Sequence, residues 1–108
     1  MSEQTTEKTR LTLQEALEEF LGSRNVYFQP PEGYKLKYPC ITYERSRITK
    51  IPADNIAYLK HKEYSLTIMH KDADSTLPDD ILDHFKYIDF DRSYKADNLY
   101  HDVYTIIW

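Results

Sequence analysis

Glycine is nearly missing from this sequence, with only Gly22 and Gly33 among 108 residues. A phosphate-cradling loop or a dinucleotide fingerprint needs several closely spaced glycines, because the backbone must approach an anion with no Cβ in the way. Neither can be built here. Cysteine is scarcer still: Cys40 stands alone. No disulfide can form within the chain, which fits a reducing compartment. No apolar run approaches the ~20 residues that span a bilayer. The polar stretch Met1 to Arg10 lacks the apolar core of a secretory signal. The expectation is a soluble intracellular chain with no membrane partner. Positive charge is not in excess either. The net charge is −4 and the isoelectric point about 5.5. The densest basic group, Lys60-His61-Lys62, is followed at once by Glu63. That speaks against nucleic-acid binding, which needs clustered Lys and Arg.

What is present describes one globular domain. The length suits a single core, and 41% apolar with 30% charged residues excludes a disordered tract. Tyrosine is abundant, at ten residues. It suits strands, and it is enriched where proteins meet.

Residues 1–11 show no apolar period and read as a flexible arm, leaving 12–108 as one α+β domain. Thr12 and Glu15 have the spacing of a capping box, in which each side chain satisfies a backbone N–H of the other. Leu13, Ala16, Leu17, Phe20 and Leu21 then form an apolar stripe at helical spacing, and Gly22 stands where a left-handed cap belongs. Val26-Tyr27-Phe28 is a short strand, broken by Pro30-Pro31 and Gly33. Cys40 to Arg45 is rich in β-branched and aromatic residues and predicts a strand. Pro52 to Asn55 predicts a loop. Between Tyr58 and Lys71, Tyr64, Leu66 and Ile68 alternate with Ser65 and Thr67, the pattern of a strand with one buried face. Asp72 to Ser75 is a turn. Thr76 and Pro78 open a second helix whose positive end suits Asp79 and Asp80, with Ile81, Leu82 and Phe85 as its apolar side. Strands over 87–94 and 99–108 follow, joined at Ala96-Asp97-Asn98.

The order α-β-β-β-α-β-β with short connections predicts a single, mainly antiparallel sheet carrying two packed helices. The apolar ending Tyr104-Thr-Ile-Ile-Trp108 must be protected, as a central strand or by a neighbouring subunit.

Chemistry is harder to find. The histidines His61, His70, His84 and His101 include no pair at i, i+4, and one cysteine cannot complete a tight zinc set. The acidic stretch from Asp72 fails as a calcium loop: its sixth position is Leu77 and its twelfth Asp83, where glycine and glutamate are required. Cys40 opens an apolar strand, where the thiol acts as a small hydrophobe. No serine has a nucleophile-elbow setting. Asp89 and Asp91 share a strand face, a spacing common on solvated strands. The expectation is a non-catalytic protein without metal or cofactor.

Residues 17–31 (LEEFLGSRNVYFQPP), 37–43 (KYPCITY) and 90–104 (FDRSYKADNLYHDVY) together resemble short tail-terminator or tail-completion proteins of tailed bacteriophages. The resemblance covers about residues 12–108. It implies an α/β sandwich that assembles as a homo-oligomeric ring, typically a hexamer, in the tail or neck of a virion made in the host bacterial cytoplasm. Such a ring caps the head-proximal end of the tail tube, binding the tube protein on one side and a head-completion or connector protein on the other. DNA passes through its lumen without specific binding, and an acidic balance suits that lumen. On this reading the face of Tyr100, Tyr104 and Trp108 is a candidate subunit contact. The stretch Lys50 to Tyr58, with Asp54 and Asn55 at its middle, is a loop long enough to reach a neighbour. Two rival readings are a connector one layer nearer the capsid, and a small monomeric inhibitor directed at a host protein.

Overall fold

The structure is a computed structural model that describes residues 9–53 and 57–108, with side chains described for 9–50 and 61–108. It is the α+β architecture expected: helix α1 (Arg10–Leu21), strands β1 (Val26–Phe28), β2 (Cys40–Ala53) and β3 (Ala57–His70), helix α2 (Leu77–His84), and strands β4 (Ile88–Ala96) and β5 (Leu99–Ile107). The sheet order is β1-β2-β3-β5-β4, antiparallel throughout except for the short parallel pair β1–β2. The C-terminal strand β5 is thus an inner strand, paired on both edges, which protects its apolar sequence.

Helix α1 begins earlier than the spacing of Thr12 and Glu15 suggests, so Arg10 and Leu11 belong to the domain and not to an arm. Thr9 is the cap. The Thr12 N–H donates to Thr9 Oγ1 at 3.3 Å, and the Thr9 N–H donates to Thr12 Oγ1 at 2.8 Å. A threonine three residues on does the reciprocal work that Glu15 was assigned, and Thr12 becomes an interior residue. The C-terminus is as expected, with Gly22 at φ 79°. Residues 1–8 lie outside the described residues.

The core lies between the helices and one face of the sheet. Leu13 and Leu17 of α1 and Ile81 of α2 are buried against Ile41 and Tyr43 of β2, Tyr64, Leu66 and Ile68 of β3, and Tyr104 and Ile106 of β5. The alternation expected for β3 is observed. Leu82 departs from expectation: it turns outward, 38% exposed, because a helix this short buries only its Ile81 side. A two-residue turn links β4 to β5, with Asp97 and Asn98 at φ 53° and 63°, the left-handed pair that hairpins favour.

The largest departure concerns β2 and β3. Each has 14 residues, and they pair with each other as far as Ala53 and Ala57. Strand β1 covers β2 only at Ile41 to Tyr43, and β5 covers β3 only from Glu63 to His70. Beyond Arg47 and Glu63 the hairpin is a two-stranded ribbon, and among the described residues no further strand pairs with either edge. The six residues Ile48 to Ala53, at about 3.3 Å each, carry it roughly 20 Å outward. This elongation fits the overall dimensions of 51 × 31 × 29 Å. The loop assigned to Lys50–Tyr58 is therefore the end of this ribbon, with Lys50 to Ala53 and Ala57 to Tyr58 in strands. Period-two hydrophobicity marks a strand only when one face is buried. The ribbon leaves Arg45, Arg47, Ile48 and Lys50 exposed, so the marker is missing.

Candidate interaction surfaces

The last strand's aromatic face is turned inward. Tyr104 is fully buried, and its hydroxyl donates to the Pro78 carbonyl at 2.8 Å, tying β5 to the first turn of α2. Burial, with the Asp102 and Asp79 carboxylates adding to it, pushes its phenol well above the ordinary range. Trp108 donates from Nε1 to Thr12 Oγ1 at 2.9 Å and meets the Phe85 ring edge-on at 6.1 Å. Tyr100 stacks on His70, with ring centroids 5.5 Å apart. Tyr104 and Trp108 are thus part of the helix–sheet interior; Tyr104 has no exposed surface to offer a neighbour, while Tyr100 and Trp108 are half-buried. Inward and outward positions alternate along a strand, and sequence alone does not say which set the helices cover. Of the other residues assigned to partner contact, Lys50 is exposed on the ribbon. The side chain of Tyr58 and all of Asp54 and Asn55 lie outside the described residues.

One polar pair sits where apolar residues would be expected. Along β3 the inward series Tyr64, Leu66, Ile68 ends at His70. Along β5 the inward series Tyr100, Asp102, Tyr104, Ile106 contains a carboxylate. His70 and Asp102 are both buried, with Nε2 and Oδ2 2.8 Å apart, and His70 Nδ1 lies 2.9 Å from the Asp72 carbonyl oxygen. A carbonyl has no proton to give, so Nδ1 is the donor there. The signal for this pair was a charged residue on the inward register of an alternating strand.

The pair borders a pocket of about 380 Å³ lined by Tyr38, Pro39, His70, Lys71, Ser75 and Leu77. A histidine acting as general base needs one ring nitrogen directed at a substrate or nucleophile. Here both are engaged within the protein, so the arrangement fastens the end of β3 to β5 and to the following turn. Cys40 is buried, and desolvation pushes its thiol up to about 11, which keeps it protonated and unreactive at neutral pH. Asp91 accepts a hydrogen bond from Thr105 at 2.8 Å. Among the described residues, no group of three His, Cys, Asp or Glu side chains is placed to hold a metal ion. No helix among them is long and apolar enough to cross a membrane.

Among the described residues, no helix lies on the sheet's second face. Residues 29–39 fold over one end of it, with Tyr34 edge-on to Tyr27 at 5.6 Å, and enclose a concavity of about 500 Å³ above Thr42, Ser65, Thr67 and Met69. Farther along, Tyr94 stacks on His101 at 4.7 Å and 10°, with the Arg92 guanidinium 5.7 Å from the Tyr94 ring. Tyr87, Phe90 and Ile107 are exposed around the outer edge.

Charge is divided unevenly over these surfaces. From Arg45 to Lys62 the sequence holds five Lys or Arg and one Asp, whereas from Asp72 to Asp91 it holds seven Asp and one Lys. Matching the chain against protein-family models, curated proteins and solved structures returns nothing similar to it.

Proposed function

We propose that this chain is a structural joining protein, a tail terminator that forms a ring on the head-proximal end of a phage tail tube and presents a surface to head-completion proteins. The observation that carries this reading is the β2–β3 ribbon. A two-stranded ribbon without a further strand on its edges is marginal on its own. Retaining one as long as this is reasonable when another chain covers it. The interior supports the same reading from the other side, because both ring nitrogens of the buried His70 are engaged within the protein. The sequence resemblance supplies the particular setting, and the net negative charge suits a lumen through which DNA moves without being held.

Electron microscopy of the purified protein mixed with purified tail tubes tests the reading. Rings seated on one end of each tube support it. Binding to filled heads instead of tubes moves the protein one layer up, to the connector. A protein that stays monomeric and ignores both heads and tubes ends the proposal.

A further inference from the structure

The ribbon and helix α2 have complementary surfaces on one chain. The register places Arg45 opposite Tyr64, skips Ser46 as a bulge, and sets Ile48 opposite Lys62 and Lys50 opposite Lys60. Residues directly opposite share a face, so Arg45, Ile48, Lys50 and Lys62 lie on the side of the sheet that the helices cover, beyond the helices' reach. On that side Ile48 is 52% exposed and stands among cations. The outward side of α2 is its counterpart. Asp79, Leu82 and Asp83 fall on one stripe at i, i+3, i+4, next to Asp80, and all four are exposed. One surface is an apolar residue ringed by positive charge. The other is an apolar residue ringed by carboxylates.

We infer that the ribbon of one copy docks across α2 of a second copy, with Ile48 meeting Leu82 and with Arg45, Lys50 and Lys62 facing Asp79, Asp80 and Asp83. The inference rests on the self-assembly in the proposed function and names the surfaces that would perform it. Two different patches meet, so the contact is head-to-tail. Such contacts close into a ring when the rotation between copies permits and otherwise continue as a filament. The charges supply partner choice and register more than raw affinity, and the contact weakens as salt rises. A nucleic acid is the other polyanion that a basic ribbon attracts. A second copy is favoured because its acidic stripe also carries the apolar residue that matches Ile48, which a phosphate backbone does not.

Charge reversal in two variants tests the contact. One carries R45E, K50E and K62E on the ribbon, and the other carries D79K, D80K and D83K on α2. Circular dichroism verifies that both fold, and light scattering after gel filtration gives their mass. Wild type assembles, and each variant alone shifts toward monomer with its apparent dissociation constant raised at least about tenfold. An equimolar mixture regains the wild-type mass, because each altered surface then meets an oppositely charged one. If wild type assembles and both variants assemble equally well, the ribbon–α2 contact is wrong while self-assembly stands. If wild type remains monomeric at every concentration, both fall. If wild type stays monomeric yet binds duplex DNA, and the ribbon variant loses that binding, the ribbon is a nucleic-acid element and the inference is overturned.

Discussion

His70 Nε2 and Asp102 Oδ2 lie 2.8 Å apart in the interior, joining the last residue of β3 to the middle of β5. With Nδ1 committed to the Asp72 carbonyl, the ring links three segments at once.

Replacing Asp102 by alanine leaves a buried ring nitrogen without its partner, which typically costs about 1–3 kcal/mol. Urea unfolding of D102A should show a lower midpoint with an unchanged slope. The conservative D102N variant retains an acceptor and should fall between D102A and wild type. Equal stability of all three would show that the pair is not a fastening.

Alkali should unfold the protein. Cys40, Tyr43 and Tyr104 are neutral when protonated, and burial raises each above its ordinary value of 9.0 or 10.0. The folded state therefore holds these protons more tightly than the unfolded chain does. Stability is full below about pH 9 and falls as pH rises, first as Cys40 titrates in the unfolded chain and then, above pH 10, the tyrosines. Thermal melts from pH 7 to 11 read this directly. Y104F should lessen the fall above pH 10 while losing about 1 kcal/mol at neutral pH with the hydrogen bond to Pro78.

The thiol of Cys40 should resist alkylation at pH 8 in the native protein and react at the ordinary rate in urea. Burial removes access, and the raised value removes the thiolate that attacks. Rapid native labelling at full stoichiometry would mean that the β2 end opens readily.

The ribbon should be dispensable for folding. Among the described side chains of this segment, 44–50 and 61–62, none belongs to the buried core, although the Lys62 carbonyl accepts a hydrogen bond from the Trp108 N–H. Replacing residues 49–61 with Asn-Gly, so that Ile48 and Lys62 flank a tight turn, keeps that carbonyl. The melting temperature should move by only a few degrees, a shift of about 1 kcal/mol for a domain this size. By contrast, L17A inside the core should cost about 2–5 kcal/mol.

Much of this fold is written locally. The stripe Leu13-Ala16-Leu17-Phe20-Leu21, the left-handed Gly22, the alternation in β3 and the Asp97-Asn98 turn each depend on neighbours a few residues away. Spacing and backbone sterics decided those. The start of α1 lies three residues before the place the Thr12–Glu15 spacing predicts, because Thr9 and Thr12 offer a second reciprocal cap, and two overlapping caps differ only in which one the tertiary contacts use. Trp108, reaching back to Thr12, belongs to that choice.

Other features have no local cause. Whether Tyr104 and Trp108 face a neighbour or the protein's own helices depends on which side of the sheet α1 and α2 cover, and a period of two is the same on either side. His70 and Asp102 stand 32 positions apart, and only strand pairing makes them partners. The strand expected from Tyr58 supplies one side of the ribbon, whereas the exposed Arg45, Arg47, Ile48 and Lys50 on the other side leave no hydrophobic alternation to mark it. Its meaning comes from where β1 and β5 stop, which is a property of the assembled sheet. The sequence by itself determined two helices, an alternating sheet and an uneven division of charge. Long-range pairing decided which surfaces stay exposed.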